Sequence, residues 1–454
     1  MTSRTADPTR PRRGGLWHHL DFRRLWIGET VSQFGTMISQ LALPLVAILS
    51  LHASTFAVGL LTACETAAFL VIGLPAGAWV DRMRLRGVLI AQDLIRAAAL
   101  GSIPLAHHLG VLTIGQLYAV AVLVGTCTVF FDIAYQSFLP QLVDRDLLVE
   151  GNAKLQASES VSQIAGPSVG GVLVQVLTAP YAMLLDAVSF LWSAAWVAAV
   201  RARPVKPARR PNRNLRREIG QGVRFVLGNR LLRSIALCTG SANLFNAMGA
   251  AVFTVLLARN LGLPAGWIGA ISSTSAIGGL LGSLLARRFA ARVGQGPAIW
   301  LSALVSGPCG FAAPFVRRDW SLALLAIAGL VMWTGIVVYN ITQVSFRQGL
   351  CPPSLQGRMN ATMRFLVWGT MPLGAVLGGL LGSTIGVRPT LFVAAVGGSL
   401  TFLPVLLSPL RRMRDLPSYA DAAMPKLIGA STGATSPRRS AARRVLPRHH
   451  WPPG

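Results

Sequence analysis

The chain has 454 residues, of which 52% are hydrophobic and only 13% charged, with a mean hydropathy of +0.54 and a formal net charge of +26. A soluble protein of this length needs a far more polar exterior, so the composition excludes an ordinary cytosolic globule and makes the bilayer the solvent for most of the surface. Its five cysteines (Cys64, Cys127, Cys238, Cys309, Cys351) are scattered without a CxxC pair and read as small buried apolar residues, not as a disulfide framework or metal site.

The first 24 residues are rich in Arg and Pro, and the apolar run after them is too long for the h-region of a cleavable signal. About twelve apolar spans follow, near 25–50, 56–80, 88–106, 111–137, 153–177, 181–200, 231–258, 265–286, 297–315, 320–345, 361–383 and 387–410. Runs of about 20 residues cross the hydrocarbon core as helices, so the predicted fold class is an all-α integral membrane protein. Its expected parts are a cytoplasmic N-terminal segment (1–24), a six-helix bundle (25–200), a cytoplasmic linker (201–230), a second six-helix bundle (231–410) and a disordered basic tail (411–454). An amphipathic helix on the membrane surface is expected over 215–227.

With the N-terminus inside, the arginines at 4–24, 82–86, 201–233, 287–292 and 411–448 all fall on the cytoplasmic side, and only Arg259, Arg317, Arg318 and Arg388 fall outside. About 36 of the 42 basic residues are then cytoplasmic, a strong positive-inside signal. The basicity is therefore topological, and no aromatic-interleaved basic module argues for nucleic acid. The expected location is the cell membrane, multi-pass, with both termini cytoplasmic. Trp26, Trp79, Trp267, Trp300 and Trp320 lie near span ends, where the interface favours indoles.

The halves share a register. Ser137-Phe138 returns as Ser345-Phe346, Leu142 as Leu350, Asn152-Ala153 as Asn360-Ala361, and Gly170-Gly171 as Gly378-Gly379, all at an offset of 208 residues. A common register over about forty residues predicts two pseudo-symmetric bundles of equal orientation around a central pathway, as in transporters built from parallel repeats.

Ionisable residues inside the spans are costly and are by default coupling or substrate groups. They are Glu29, Glu65, Asp93, Arg96, Asp132, Glu159, Asp186 and Arg364, and Glu65 and Arg96 lie deepest. Glu65, Asp93 and Arg96 are the candidates for proton coupling, with Glu65 favoured as the proton carrier and a neutral or Arg-paired structural carboxyl as the competing reading. Asp93 and Arg96, three apart on one helix face, can simply neutralise each other.

Between the second and third spans stands Gly77-Ala-Trp-Val-Asp81-Arg82-Met83-Arg84-Leu85-Arg86. It resembles the GxxxDRxGRR loop of the major facilitator superfamily through Gly77, Asp81, Arg82 and Arg86, with Arg84 at the second glycine and Leu85 at the next arginine. A degraded copy follows the eighth span, with Ala286 in the aspartate position. The resemblance implies a gate that locks the cytoplasmic side, with Asp132 near the inner end of the fourth span as partner of Arg84 or Arg86. In the second half Asp132 is replaced by Asn340. Gly166-Pro167-Ser-Val-Gly170-Gly171 in the fifth span resembles the superfamily's antiporter motif, GPxxGG, which marks exporters more than importers and implies a kinked, close-packed seam between halves.

The resemblance runs from Leu25 to about Arg414, and Phe131–Val143 and Leu184–Phe190 point to the bacterial drug and siderophore exporter branch. An arginine common in the fourth span of drug antiporters is Ala121 here, so coupling must use other residues. By the resemblance, spans one, four, seven and ten line the cavity. There Gln33, Thr36, Gln40, Tyr135, Asn243, Asn246, Trp333 and Gln343 offer a few hydrogen-bonding groups on an apolar, aromatic wall, suited to an amphiphilic organic substrate, though any one can instead be interhelical glue.

No P-loop exists, because Lys154, Lys206 and Lys426 lack a preceding glycine, and no HExxH or Gx-Ser-xGly elbow appears. The expected function is thus a secondary transporter and not an enzyme: a monomeric, proton-coupled exporter of a drug, secondary metabolite or siderophore by alternating access, needing no cofactor and no metal. The alternative is uptake by symport on the same scaffold.

Overall fold

A computed structural model of the chain describes residue 16 and residues 19–80, 83–143, 147–201, 215–352 and 355–414. Most of the expected N-terminal segment, most of the linker and the tail beyond 414 lie outside the described residues. All regular structure among the described residues is helical.

In the first half, α1 (Leu20–Leu45) runs on into a π-helical turn (Val46–Ser50), and α2 (Thr55–Val71) and α3 (Gly73–Val80) form the second span. α4 (Leu85–His108), α5 (Ile114–Leu142), α6 (Leu148–Leu177) and α7 (Ala179–Ala199) complete that half. α8 (Leu215–Gly228) belongs to the linker. In the second half, α9 (Arg230–Val255) also ends in a π-helical turn (Leu256–Asn260), followed by α10 (Ala265–Val293). The ninth span joins α11 (Gln295–Ser306) to α12 (Ala312–Phe315), and α13 (Ser321–Leu350) is the tenth. α14 (Gln356–Trp368) and α15 (Thr370–Thr384) form the eleventh, and α16 (Val387–Leu400) and α17 (Leu403–Leu406) the twelfth. Eleven of these stretches are long and apolar enough to cross a bilayer, and Thr55–Val71 is a shorter apolar helix, extended by α3.

Helix starts are set by side-chain caps that satisfy otherwise unpaired amides. Ser54 Oγ accepts the Ala57 N–H at 3.2 Å, Thr113 Oγ1 the Gln116 N–H at 3.3 Å, and Asn229 Oδ1 the N–H groups of Leu231 and Leu232 at 2.9 and 3.3 Å. The repeat extends into the backbone of the turns. Thr178, between α6 and α7, has φ +69, and its counterpart 208 residues on is Gly386 with φ +96. His52 has φ +49, and the equivalent turn of the second half has Gly262 at φ +57. Only glycine enters this region without steric cost, so the first half holds two strained residues where the second is relaxed.

Of five buried apolar clusters among the described residues, the three larger ones locate the core. The largest draws on both halves, with Leu45–Ile48, Val58, Leu117, Val252–Ala258, Ile268 and Leu391, at the face remote from the linker. The other two are confined to one half each: Phe22, Leu89, Phe138 and Val197 in the first, and Val226, Leu232, Phe346 and Met363 in the second. The bundles thus share one core at the distal face and keep separate cores at the linker face. The space between these two separate cores is the candidate vestibule.

Two expectations change. α8 was expected on the membrane surface, but it docks on the start of α14: Val226 is fully buried in the second bundle, and Gln221 accepts from Arg358 at 2.6 Å. Gly222 makes this possible, since a Cβ there would lie 2.9 Å from the Arg358 carbonyl oxygen. Among the indoles, Trp79, Trp267 and Trp320 are exposed, whereas Trp26 points inward and donates to Ser158 Oγ at 2.9 Å.

Thr178→Gly removes a β-branched side chain from a left-handed position. It should stabilise the protein by about 1 kcal/mol, a gain partly offset by the freer unfolded chain. Thermal melting of the detergent-solubilised protein checks this, and a lowered midpoint would refute the strain at Thr178.

A candidate substrate vestibule and its gate

The bundles touch most closely along two helix pairs, α6 with α10 and α2 with α15. Both are built on glycine. In the first pair a Cβ on Gly171 would lie 2.5 Å from the Ala265 carbonyl oxygen, and one on Gly269 would collide with the Pro167 carbonyl. Ser168 N–H and Oγ both reach Ser273 Oγ, at 3.1 and 2.8 Å. In the second pair Gly59 and Gly379 face each other, and a Cβ on Gly59 would lie 2.5 Å from the Gly379 Cα. Within the GPxxGG run, Gly166 and Gly170 pack instead on Met37 and Ile38 of α1. Thus Gly166 and Gly170 hold α6 to its own bundle while Pro167 and Gly171 meet the other. α6 runs through Pro167 as one continuous helix.

Between these seams a charged contact crosses the vestibule. The Arg364 guanidinium of α14 lies 3.8 Å from Asp132 Oδ2 of α5, and both side chains remain about a third exposed, at 36% and 38%. The same guanidinium sits 4.5 Å from the Trp368 ring centroid and 5.5 Å from that of Phe69, and these two rings meet edge to face at 4.7 Å. Phe69 is on α2 and Trp368 on α14, so the aromatic pair also joins the bundles.

This corrects the expected partner of Asp132. Arg86 donates to the Ala198 carbonyl at the end of α7, and Arg84 is the exposed N-cap residue of α4 without a side-chain cap bond. Depth explains the difference. Asp132 lies ten residues inside the end of α5, about 15 Å of helix rise, beyond reach of arginines at the linker face. Gly77 lies in α3, and Asp81 and Arg82 fall outside the described residues.

The coupling candidates divide. Asp93 and Arg96 form a buried ion pair within α4, and the Arg96 guanidinium lies 4.3 Å and 4.1 Å from the ring centroids of Phe131 and Phe190. That pair is self-neutralised. Glu65 has no hydrogen-bond or ion-pair partner among the described residues. It is ten residues into α2, about 15 Å from its distal end and so near mid-depth of a core about 30 Å thick. Gly125 of α5 packs on its backbone carbonyl.

The expected cavity residues also separate into groups. Glu29 accepts from Gln33 Nε2 at 3.1 Å, and Gln33 Oε1 is buried without a partner among the described residues. Tyr135 stacks on Phe131 at 5.9 Å with its hydroxyl likewise unpartnered, and so is Gln343 Oε1, on a residue 4% exposed. Asn243 instead donates to the Val367 carbonyl at 3.1 Å and ties α9 to α14, and Thr36 bonds back to the Ser32 carbonyl at 3.0 Å. Gln40, Asn246 and Trp333 are exposed. The residues that sequence reasoning passed over are Phe69 and Trp368, and the pairing of Arg364. One signal was available: Asp132 has no acidic counterpart in the second half, while Arg364 is a lone basic residue within the second half's eleventh span.

Asp93→Asn leaves a buried guanidinium without its counter-charge, and the expected loss is about 3–5 kcal/mol, with part of the stability restored in Asp93→Asn/Arg96→Gln. The accumulation and melting of the purified variants measure both. For the half-exposed pair, a double-mutant cycle on Asp132→Asn and Arg364→Gln should return a stability coupling of only about 0.2–1 kcal/mol. A coupling several times larger would mean that the pair is shielded from water.

The family model described as transmembrane secretion effector matches residues 17–431. The multidrug efflux pump Tap of Mycolicibacterium fortuitum is 28% identical over 400 residues, covering 84% of this chain and 93% of that protein. The enterobactin exporter EntS of Escherichia coli O1:K1 / APEC is 25% identical over 413 residues, covering 89% and 96%. Among solved structures, an inward-facing bacterial homologue of the iron transporter ferroportin superposes with a TM-score of 0.70 at 16% identity, over 85% of this chain and 98% of that one. A match along nearly the whole length, on twelve spans in two glycine-seamed bundles, places the chain in the transmembrane secretion effector family of the major facilitator superfamily, whose members are transporters and not enzymes.

Proposed function

We propose that the chain is a secondary active exporter of small organic molecules, in which the linker face is cytoplasmic and proton entry at Glu65 drives the return of the vestibule. The observation that carries this reading is the way the two bundles meet: one apolar core is shared at the distal face, separate cores stand at the linker face, and glycine seams join the walls. The arginine distribution supports the assignment of the linker face to the cytoplasm, since the short loops there carry most of the basic residues. In this orientation the arrangement loads cargo from the cytoplasm.

Export is favoured over uptake by the relatives, which are named as a multidrug efflux pump, a macrolide efflux protein and an enterobactin exporter. The cargo is an amphiphile in this reading. Unpartnered polar atoms on Gln33, Tyr135 and Gln343 would take its hydrogen bonds, while Phe69, Trp368 and Phe131 supply aromatic surface. Glu65 suits the coupling role because no cation or donor among the described residues fixes its charge, so protonation need not break an existing pair. Asp132 and Arg364 act as the linker-side latch, and the Gly77–Arg86 loop, with Asp81 and Arg82, as the outer part of the same gate. The working unit is one chain: residues 25–200 and 231–410 act as the two rocking bodies and 201–230 as their tether, in the plasma membrane with both termini inside.

Expression in a bacterial host lacking its own pumps should raise tolerance to at least one compound of a panel of macrolides and other amphiphilic antibiotics by roughly fourfold or more. Glu65→Gln should return it to the vector level at equal protein abundance, a loss on the scale that removing a proton-carrying group produces. Vesicle uptake of the same compound should follow an imposed pH gradient without nucleotide. Normal pumping by Glu65→Gln would remove Glu65 as the coupling acid, and transport that required ATP would reject the secondary mechanism altogether.

A further inference from the structure

Both bundles carry arginines at the start of their first helix, Arg23 and Arg24 on α1 and Arg230 and Arg233 on α9, but only α1 has an acid in its first turn. In the first bundle Arg24 pairs with Asp21 at 3.0 Å, and the same carboxylate oxygen accepts the Arg201 N–H at 3.0 Å. Counted from the helix starts, Leu231 of α9 stands where α1 has Asp21, so the second bundle lacks that acid. Arg230 and Arg233 are exposed, and their guanidinium groups have no ion-pair or hydrogen-bond partner among the described residues.

These two arginines border a cleft of about 160 Å³ between the start of α9 and the end of α17. Ser234 and Ser408 also line it, but their hydroxyls already donate to the backbone carbonyls of Leu231 and Val405, at 2.9 and 2.8 Å. The guanidinium groups are therefore the donors left open. Two further lining residues, Leu237 and Leu407, are 57% and 72% exposed. Leu237 lies two turns deeper along α9 than Arg230, so the surface passes from cationic at the helix start to apolar within the span.

We propose that this cleft binds an anionic phospholipid, with Arg230 and Arg233 on the phosphate oxygens and an acyl chain along Leu237 and Leu407. The order of the groups is that of the ligand: a charged head at the level of the membrane interface and a hydrocarbon chain directed into the span. Guanidinium forks match phosphate oxygens in pairs, which a single ammonium cannot do. A soluble phosphate would use the arginines but would leave the two leucines without a role. On the first bundle the place of Arg230 is taken by Leu20, and Arg24 is held by Asp21, so the same open pair is not presented there.

The full-length protein, solubilised in detergent and equilibrated with equal amounts of phosphatidylglycerol and phosphatidylcholine, should retain the anionic lipid in preference by roughly tenfold or more, as read by native mass spectrometry. Arg230→Gln/Arg233→Gln should abolish the preference, whereas Arg317→Gln/Arg318→Gln, an equal charge change at the opposite face, should preserve it. Should the arginine double variant fold poorly, Leu407→Asp provides an independent arm: a carboxylate at this exposed position cancels one of the two positive charges, repels the phosphate and removes the acyl contact, and should also abolish the preference. Undiminished preference in a folded Arg230→Gln/Arg233→Gln or in Leu407→Asp overturns the proposal. So does an equal loss in Arg317→Gln/Arg318→Gln, which would mark a response to net charge. Displacement of the lipid by millimolar inorganic phosphate would make this a site for free phosphate and overturn it too.

Discussion

Direct contact between backbones at the two inter-bundle seams is the constraint on which the rest of the architecture depends. Lipid tails are as apolar as leucine, so the hydrophobic effect gives helices in a bilayer no reason to associate, and close van der Waals contact must do so instead. Gly59 against Gly379, and Gly171 and Gly269 against the opposing carbonyls, bring the main chains together with no side chain between them. Toward the distal face, side chains such as Val58, Val174 and Ile268 add to this contact as parts of the shared core. The Ser168–Ser273 bonds add direction to one seam and not the other.

The vestibule between the seams is tuned by which charges are answered locally. Asp93 and Arg96 cancel each other inside α4, and aromatic rings cover the cation. Asp132 and Arg364 answer each other across the two bundles, at a distance and exposure that make the contact easy to exchange for water. Glu65 is answered by nothing among the described residues. The three sites thus differ in how far each charge is compensated by its neighbours: fully for Asp93 and Arg96, loosely for Asp132 and Arg364, and by no partner among the described residues for Glu65.

Much of this was legible in the sequence, and the reasons differ by level. Span number and repeat register follow from hydropathy and from paired tokens such as Asn152-Ala153 and Asn360-Ala361, because the bilayer demands long apolar helices and duplication preserves spacing. The internal neutralisation of Asp93 by Arg96 was readable from their spacing of three. The partner of Asp132 was not, since helix depth, rather than proximity in a motif, decides that Arg364 reaches it and Arg84 does not. The position of α8 was also hidden. An amphipathic pattern states that one face is apolar, and it does not state whether lipid or protein covers that face, as Val226 and Gly222 show.

The π-helical turns at the ends of α1 and α9 carry a consequence of another kind. Val46–Ser50 and Leu256–Asn260 occupy the same place in the two halves, although the residues themselves, VAILS and LLARN, have little in common. A turn of this type is the mark of one extra residue accommodated within a helix, and it is seldom selected by local sequence preference. Two separate insertions at matching places are a less economical history than one. The irregularity therefore dates from a single ancestral half, older than the gene fusion that made the present chain, and it has outlasted the side chains that first surrounded it.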